Sequence, residues 1–132
     1  MSRPRRFTSI PIADPRLEEG CRLFNAGKFF ESHEAWESLW HEVADPEREL
    51  LQGMIQLAAA CHHFQRKNPA GAAYLYLRGR AKVTPWLPCH AGLALGDWLA
   101  ELDRHLRGPG GGSGGDPAAG RGPQLQRTPV AE

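Results

Sequence analysis

Two stretches concentrate the residues able to do chemistry: Phe29 to His41, read FFESHEAWESLWH, and Leu50 to His63, read LLQGMIQLAAACHH. In the first, His33, Glu34 and Glu37 form an H-E-x-x-E pattern. Residues four apart on a helix share a face, so His33 and Glu37 have the spacing to grip one metal ion. Glu34 would then be the base, as in the H-E-x-x-H arrangement of zinc peptidases. A third ligand would have to come from His41, Gln56, His62 or His63. The E-x-x-H pattern of di-iron carboxylate bundles is absent from this helix.

Without a metal, a His33 ring packed among Phe29, Trp36 and Trp40 is pushed toward its neutral form by desolvation, and a nearby carboxylate opposes that. Acid–base catalysis uses such tuning. So do many structural histidines, and a His33–Glu37 hydrogen bond inside an aromatic layer is the simpler expectation. It requires no metal and no cofactor. Gln52 and Gln56 are amides that must be hydrogen-bonded if buried, so they complete a polar network or hold a ligand. Cys61, His62, His63, Cys89 and His90 match no zinc spacing.

These side chains need helices to position them. Asp14-Pro15 is a helix start, with Asp as cap and proline in the first turn, and Gly27 is a stop. A second helix is expected over about residues 28–43. At about 100° per residue with His33 at zero, Phe29 falls at about −40°, Trp36 at about −60°, Trp40 at about −20° and Glu37 at about +40°. His33 and Glu37 are therefore expected on the aromatic side. Asp45-Pro46 restarts the chain with Asp45 as cap, and a third helix covers about residues 46–66. Its apolar arc is wide and its polar seam, Gln52, Gln56 and His63, is narrow. That pattern suits a central helix. Gly53 costs about 1 kcal/mol of helix propensity, which implies a packing reason. Helices over about residues 70–83 and 93–107 follow, separated by Thr84-Pro85-Trp86-Leu87-Pro88. No strand is expected. The fold class is all-α, about five helices in a compact bundle.

The 132-residue chain carries 16 basic and 15 acidic residues. No broad basic excess points to nucleic acid, and no apolar run reaches membrane-spanning length. Arg3, Arg5 and Arg6 read as solvated charge. Three widely spaced cysteines, without a disulfide framework, indicate reduced thiols in a cytoplasmic protein. Residues 1–13 are expected to be extended and 14–107 to form the helical domain. Residues 108–132, rich in Gly and Pro, are expected to form a disordered tail, since they offer too little apolar surface to offset chain entropy.

Phe29 to Trp40 and Leu51 to Ala60, together with Leu23 to Gly27 and Asn68 to Ala72, resemble the DUF309 domain family of small prokaryotic proteins. The resemblance spans about residues 15–105. It implies an all-helical fold and no established activity. Its motif positions here are His33, Glu34, Trp36, Glu37, Trp40, Gln52, Gly53 and Gln56. The expected function is a binding or interaction module whose His/Glu/Gln cluster, with Trp36 and Trp40, is mainly structural. The alternative is a metal-dependent or acid–base hydrolase-like enzyme using His33, Glu34 and Glu37. Either accommodates a homodimer.

Overall fold

The computed structural model describes residues 5–107 and 122–128. Five α-helices carry the fold: α1 (Pro15–Asn25), α2 (Phe29–Trp40), α3 (Glu47–Gln65), α4 (Pro69–Val83) and α5 (Leu95–Arg107). A 3-10 turn, Thr84–Trp86, follows α4. Among the described residues there is no strand, only isolated bridges. The all-α expectation therefore holds.

The local signals explain most boundaries. Asp14 caps α1 by accepting from the Arg16 N–H, and Gly27, at φ +80°, turns the chain out of it. Asn68 caps α4 by accepting from the Gly71 N–H. Asp45 does not cap α3. Pro46 takes the cap position and no side chain bonds the first turn. Helix α2 ends at Trp40, short of the expected Val43. Beyond it, Val43 and Ala44 lie against the N-terminal segment, where Ala44 N–H donates to Phe7 O at 2.8 Å and Phe7 N–H to Glu42 O at 2.9 Å.

The first four helices run antiparallel in succession. Phe24 meets Phe29, Gly20 meets Trp36, and Trp36 reaches Leu17, which sets α1 against α2. Phe30 meets His62 while Trp40 meets Arg48, which sets α2 against α3. Gly53 faces Gly79, and His63 faces Gly71, which sets α3 against α4. Gly53 and Gly79 are where two backbones cross. A Cβ on Gly53 would sit 2.9 Å from the Gly79 carbonyl, and one on Gly79 would sit 2.8 Å from the Gly53 carbonyl. The helix-propensity cost of Gly53 is thus offset by close packing.

The core is aromatic at its centre. Trp36 and Trp98 are both 0 % exposed. Phe24 stacks on Trp36 and meets Trp98 edge-on, and the two tryptophans meet edge-on at 6.1 Å. Helix α5 presents Leu95, Trp98, Leu99 and Leu102 to this core, as its leucine spacing requires. Asp103 ties α5 to α4 through Arg80, at 2.8 Å, and through the Tyr76 hydroxyl.

Most of the expected disordered tail lies outside the described residues, as do residues 1–4. Residues 122–128 depart from that expectation, because they lie against the domain. Leu125 enters the core at 1 % exposure, and Asn25 exchanges two hydrogen bonds with its backbone. The physical reason is a single leucine in a Gly/Pro-rich stretch, with backbone groups free to pair. Ordering costs roughly 1–2 kcal/mol per residue. Burying Leu125 returns about 1.5–3 kcal/mol, and each hydrogen bond about 0.5–1.5 kcal/mol. Leucine burial and hydrogen bonding act together against that ordering cost.

Candidate functional site at the α2–α3 seam

Helix α3 is flanked on opposite sides. Its contact with α4 is through Gly53 and Leu57. Its contacts with α2 are through His62 and Arg48, about half a turn away around the helix. Leu50, Met54, Leu57 and Cys61 point into the core and are 0 % exposed. Opposite them runs a half-buried strip of Gln52, Gln56, Ala59 and His63. The wide apolar arc and narrow polar seam expected for this helix are both present.

The α2 wall of this strip differs from expectation. Phe29, Ser32, Trp36 and Leu39 are the buried residues of α2. Ser32 and Leu39 draw the centre of the buried arc away from His33, which becomes half-buried at its margin, while Glu34 and Glu37 are exposed. Tryptophans alone misplace that centre, since Trp40 is itself only half-buried. The polar group in the buried face is Ser32, whose hydroxyl donates to Gly20 O at 2.7 Å. The indole N–H of Trp36 donates to Leu17 O at 3.2 Å. Sequence reading missed Ser32, although the same wheel puts it near Trp36.

No hydrogen bond or ion pair among the described residues joins His33 to Glu37. Instead, the His33 ring stacks on Phe30 at 5.7 Å, and Phe30 also meets His62 at 5.3 Å. Phe30 is 47 % exposed, so this aromatic step is a surface feature. His62 has its pKa lowered, first by burial and then by Arg66, His63 and His33. His63 Nδ1 lies 2.9 Å from the Asn68 amide. At the other end, the Arg48 guanidinium sits 3.7 Å from the centre of the Trp40 ring, a cation–π contact. In the residue order between these two ends come His33 and Glu37 on α2 and Gln52, Gln56 and Ala59 on α3.

Along this seam, three buried polar atoms have no hydrogen-bond partner among the described residues: His33 Nδ1, Trp40 Nε1 and Gln56 Oε1. A fourth, Trp98 Nε1, is on α5 in the aromatic core. Buried polar atoms are nearly always paired in folded proteins. The indole N–H can only donate and the amide oxygen can only accept, while the imidazole nitrogen can do either. The seam therefore carries an unmatched donor and an unmatched acceptor.

The other candidates are dispersed. Among the described residues, no three His, Cys, Asp or Glu side chains are grouped so as to hold a metal ion. Cys21 and Cys61 are buried, and burial pushes the Cys21 thiol up to about 12. Cys89 is exposed. His90, in the α4–α5 connection, pairs with Glu47 at 3.0 Å at the start of α3. Arg80 is engaged by Asp103 and Arg78 lies over Tyr74. No helix among the described residues is long and apolar enough to cross a membrane.

A protein of Aquifex aeolicus (strain VF5), described as an uncharacterized protein, is 26 % identical to this chain over 103 residues. The match covers 77 % of this chain but 31 % of that protein, so the chain spans less than a third of its relative. The family model of DUF309, a domain of unknown function, matches residues 17–75. The matched stretch runs from Leu17 of α1 through α2 and α3 into α4, and it includes every residue of the seam. Helix α5 lies outside it. Over residues 17–75, from α1 into α4, this chain is similar to the DUF309 family.

Proposed function

We propose that the domain is a binding module and that the α2–α3 seam is its binding face. The unpartnered set of His33 Nδ1, Trp40 Nε1 and Gln56 Oε1 carries this reading. An amide buried only to hold two helices together would have been matched to a partner within them, because an unmatched buried acceptor costs about 1–3 kcal/mol. Retaining three such atoms on one seam is what a site for a small polar molecule requires. That molecule has an acceptor for Trp40 and a donor for Gln56. Glu34 and Glu37 at the exposed rim favour a neutral or cationic one. Among the described residues no carboxylate bonds His33 to orient its ring, so binding is favoured over hydrolysis.

Acetamide, which carries both a donor and an acceptor, is a suitable probe. Titrated into the 15N-labelled chain, it shifts the Trp40 indole resonance and leaves that of Trp36 in place. Gln56→Leu removes the acceptor at similar volume. It abolishes the shift without lowering the unfolding temperature. Marked destabilisation by Gln56→Leu, with no shift in the parent chain, would show the cluster to be purely structural.

A further inference from the structure

The segment from Gly122 to Thr128 enters the fold as a peptide ligand would. Leu125 fills the core and Pro123 is buried beside it in sequence. Asn25, the last residue of α1, clamps the Leu125 backbone. Its Nδ2 donates to Leu125 O at 3.0 Å, and its Oδ1 accepts from Leu125 N–H at 2.7 Å. Gln124 N–H donates to Glu101 Oε1 at 3.0 Å, and Gln124 Nε2 donates to Asn25 O at 3.0 Å. Ala94 N–H donates to Gln126 O at 2.9 Å, and Thr128 N–H donates to Gly92 O at 2.8 Å. Arg127 donates through Nε to Gly92 O at 3.1 Å and pairs with Glu18.

One apolar side chain, one base and the extended backbone are therefore all read by the domain. Main-chain hydrogen bonds combined with side-chain pockets are how extended peptides are recognised. We propose that Glu18, Asn25, residues 92–94 and Glu101 form a peptide-recognition groove whose built-in occupant is residues 122–128. An extended segment of another chain, with a leucine followed two residues later by an arginine, can replace it. Three observations carry this. The segment belongs to no helix, and Glu18, Asn25 and Glu101 hold it by side chains rather than a continuous ladder. Its one bridge to the domain is Leu93 with Arg127. Its hydrogen bonds fall on side chains, on the Asn25 carbonyl at the end of α1 and on residues 92 and 94 ahead of α5, so a competing peptide does not have to disrupt the helices. The Gly-rich residues 108–121 tether it to the end of α5 and give the built-in occupant the advantage of local concentration.

The test uses the full chain with a protease site placed within residues 108–121. After cleavage and removal of the freed piece, a labelled peptide GPQLQRT, the sequence of 122–128, is titrated by fluorescence anisotropy. It binds the cut chain at least about tenfold tighter than the uncut chain, whose own segment competes. Replacing leucine by alanine in the peptide, or Asn25→Ala in the domain, weakens binding by about tenfold or more. Loss of the helical circular dichroism on removing the freed piece would make the segment integral core and overturn the proposal. So would equal affinity of the leucine and alanine peptides. In the uncut chain, the Leu125 amide exchanges with solvent faster than the α3 amides. Exchange only through global unfolding would overturn it as well.

Discussion

On the face of α2 turned toward α1, Ser32 and Trp36 are fully buried and each places its polar atom on an α1 carbonyl. On the edge turned toward α3, His33 and Trp40 are half-buried, and His33 Nδ1 and Trp40 Nε1 find no partner among the described residues. One helix thus carries a closed interface and an open one, only part of a turn apart. The closed one is tight. A Cβ on Gly20 would lie 2.1 Å from Trp36 Nε1, a distance no atom pair tolerates. The lesson is that burial alone does not distinguish these two faces of α2. The pairing of their buried polar atoms does.

The contrast is broken most severely at Trp36. Trp36→Ala should cost about 3–5 kcal/mol in urea unfolding, because it empties the centre where Phe24 and Trp98 meet. Gly79→Ala comes next. It forces the α3 and α4 backbones apart and should cost about 1–3 kcal/mol, read in the same experiment. Ser32→Ala loses one hydrogen bond and should cost about 0.5–1.5 kcal/mol. Set beside it, Gln56→Leu should cost nothing or stabilise, since no bond among the described residues is lost. Equal losses for these two substitutions would erase the distinction between the faces.

The smallest expected effect is a pH dependence. Burial lowers the pKa of His105, which packs edge-on to Phe64, and burial is the first cause for His62 as well. The unfolded chain then binds more protons than the folded one as pH falls through the ordinary value of 6.5. Stability is therefore full above that value and declines below it until the folded pKa is passed. Unfolding temperatures measured from neutral pH downward should fall, and His105→Gln should flatten the decline. An unchanged slope in that variant would shift the effect to His62.

Much of the helical frame was legible before any coordinates. Asp14-Pro15 and Gly27 bound α1, and Leu95, Leu99 and Leu102 fix the inward face of α5. The narrow seam of Gln52, Gln56 and His63 was equally readable, because residues three and four apart on a helix must share a face. The site itself was only half legible. A wheel centred on tryptophans put Glu37 inside, but Ser32 and Leu39 turn the buried arc away and leave Glu37 in solvent.

What the sequence by itself determined, then, is periodicity: which segments are helical, and which side chains line up along each. Those properties are local and follow from helix geometry. What only the tertiary structure decided is which polar atoms are matched across helices, and where an isolated leucine outside the helices comes to rest. Ser32 finds Gly20, His33 does not find Glu37, and Leu125 reaches Asn25 from 100 residues away. Such matches depend on where neighbouring helices place their carbonyls and amides, and no spacing within a single helix encodes that.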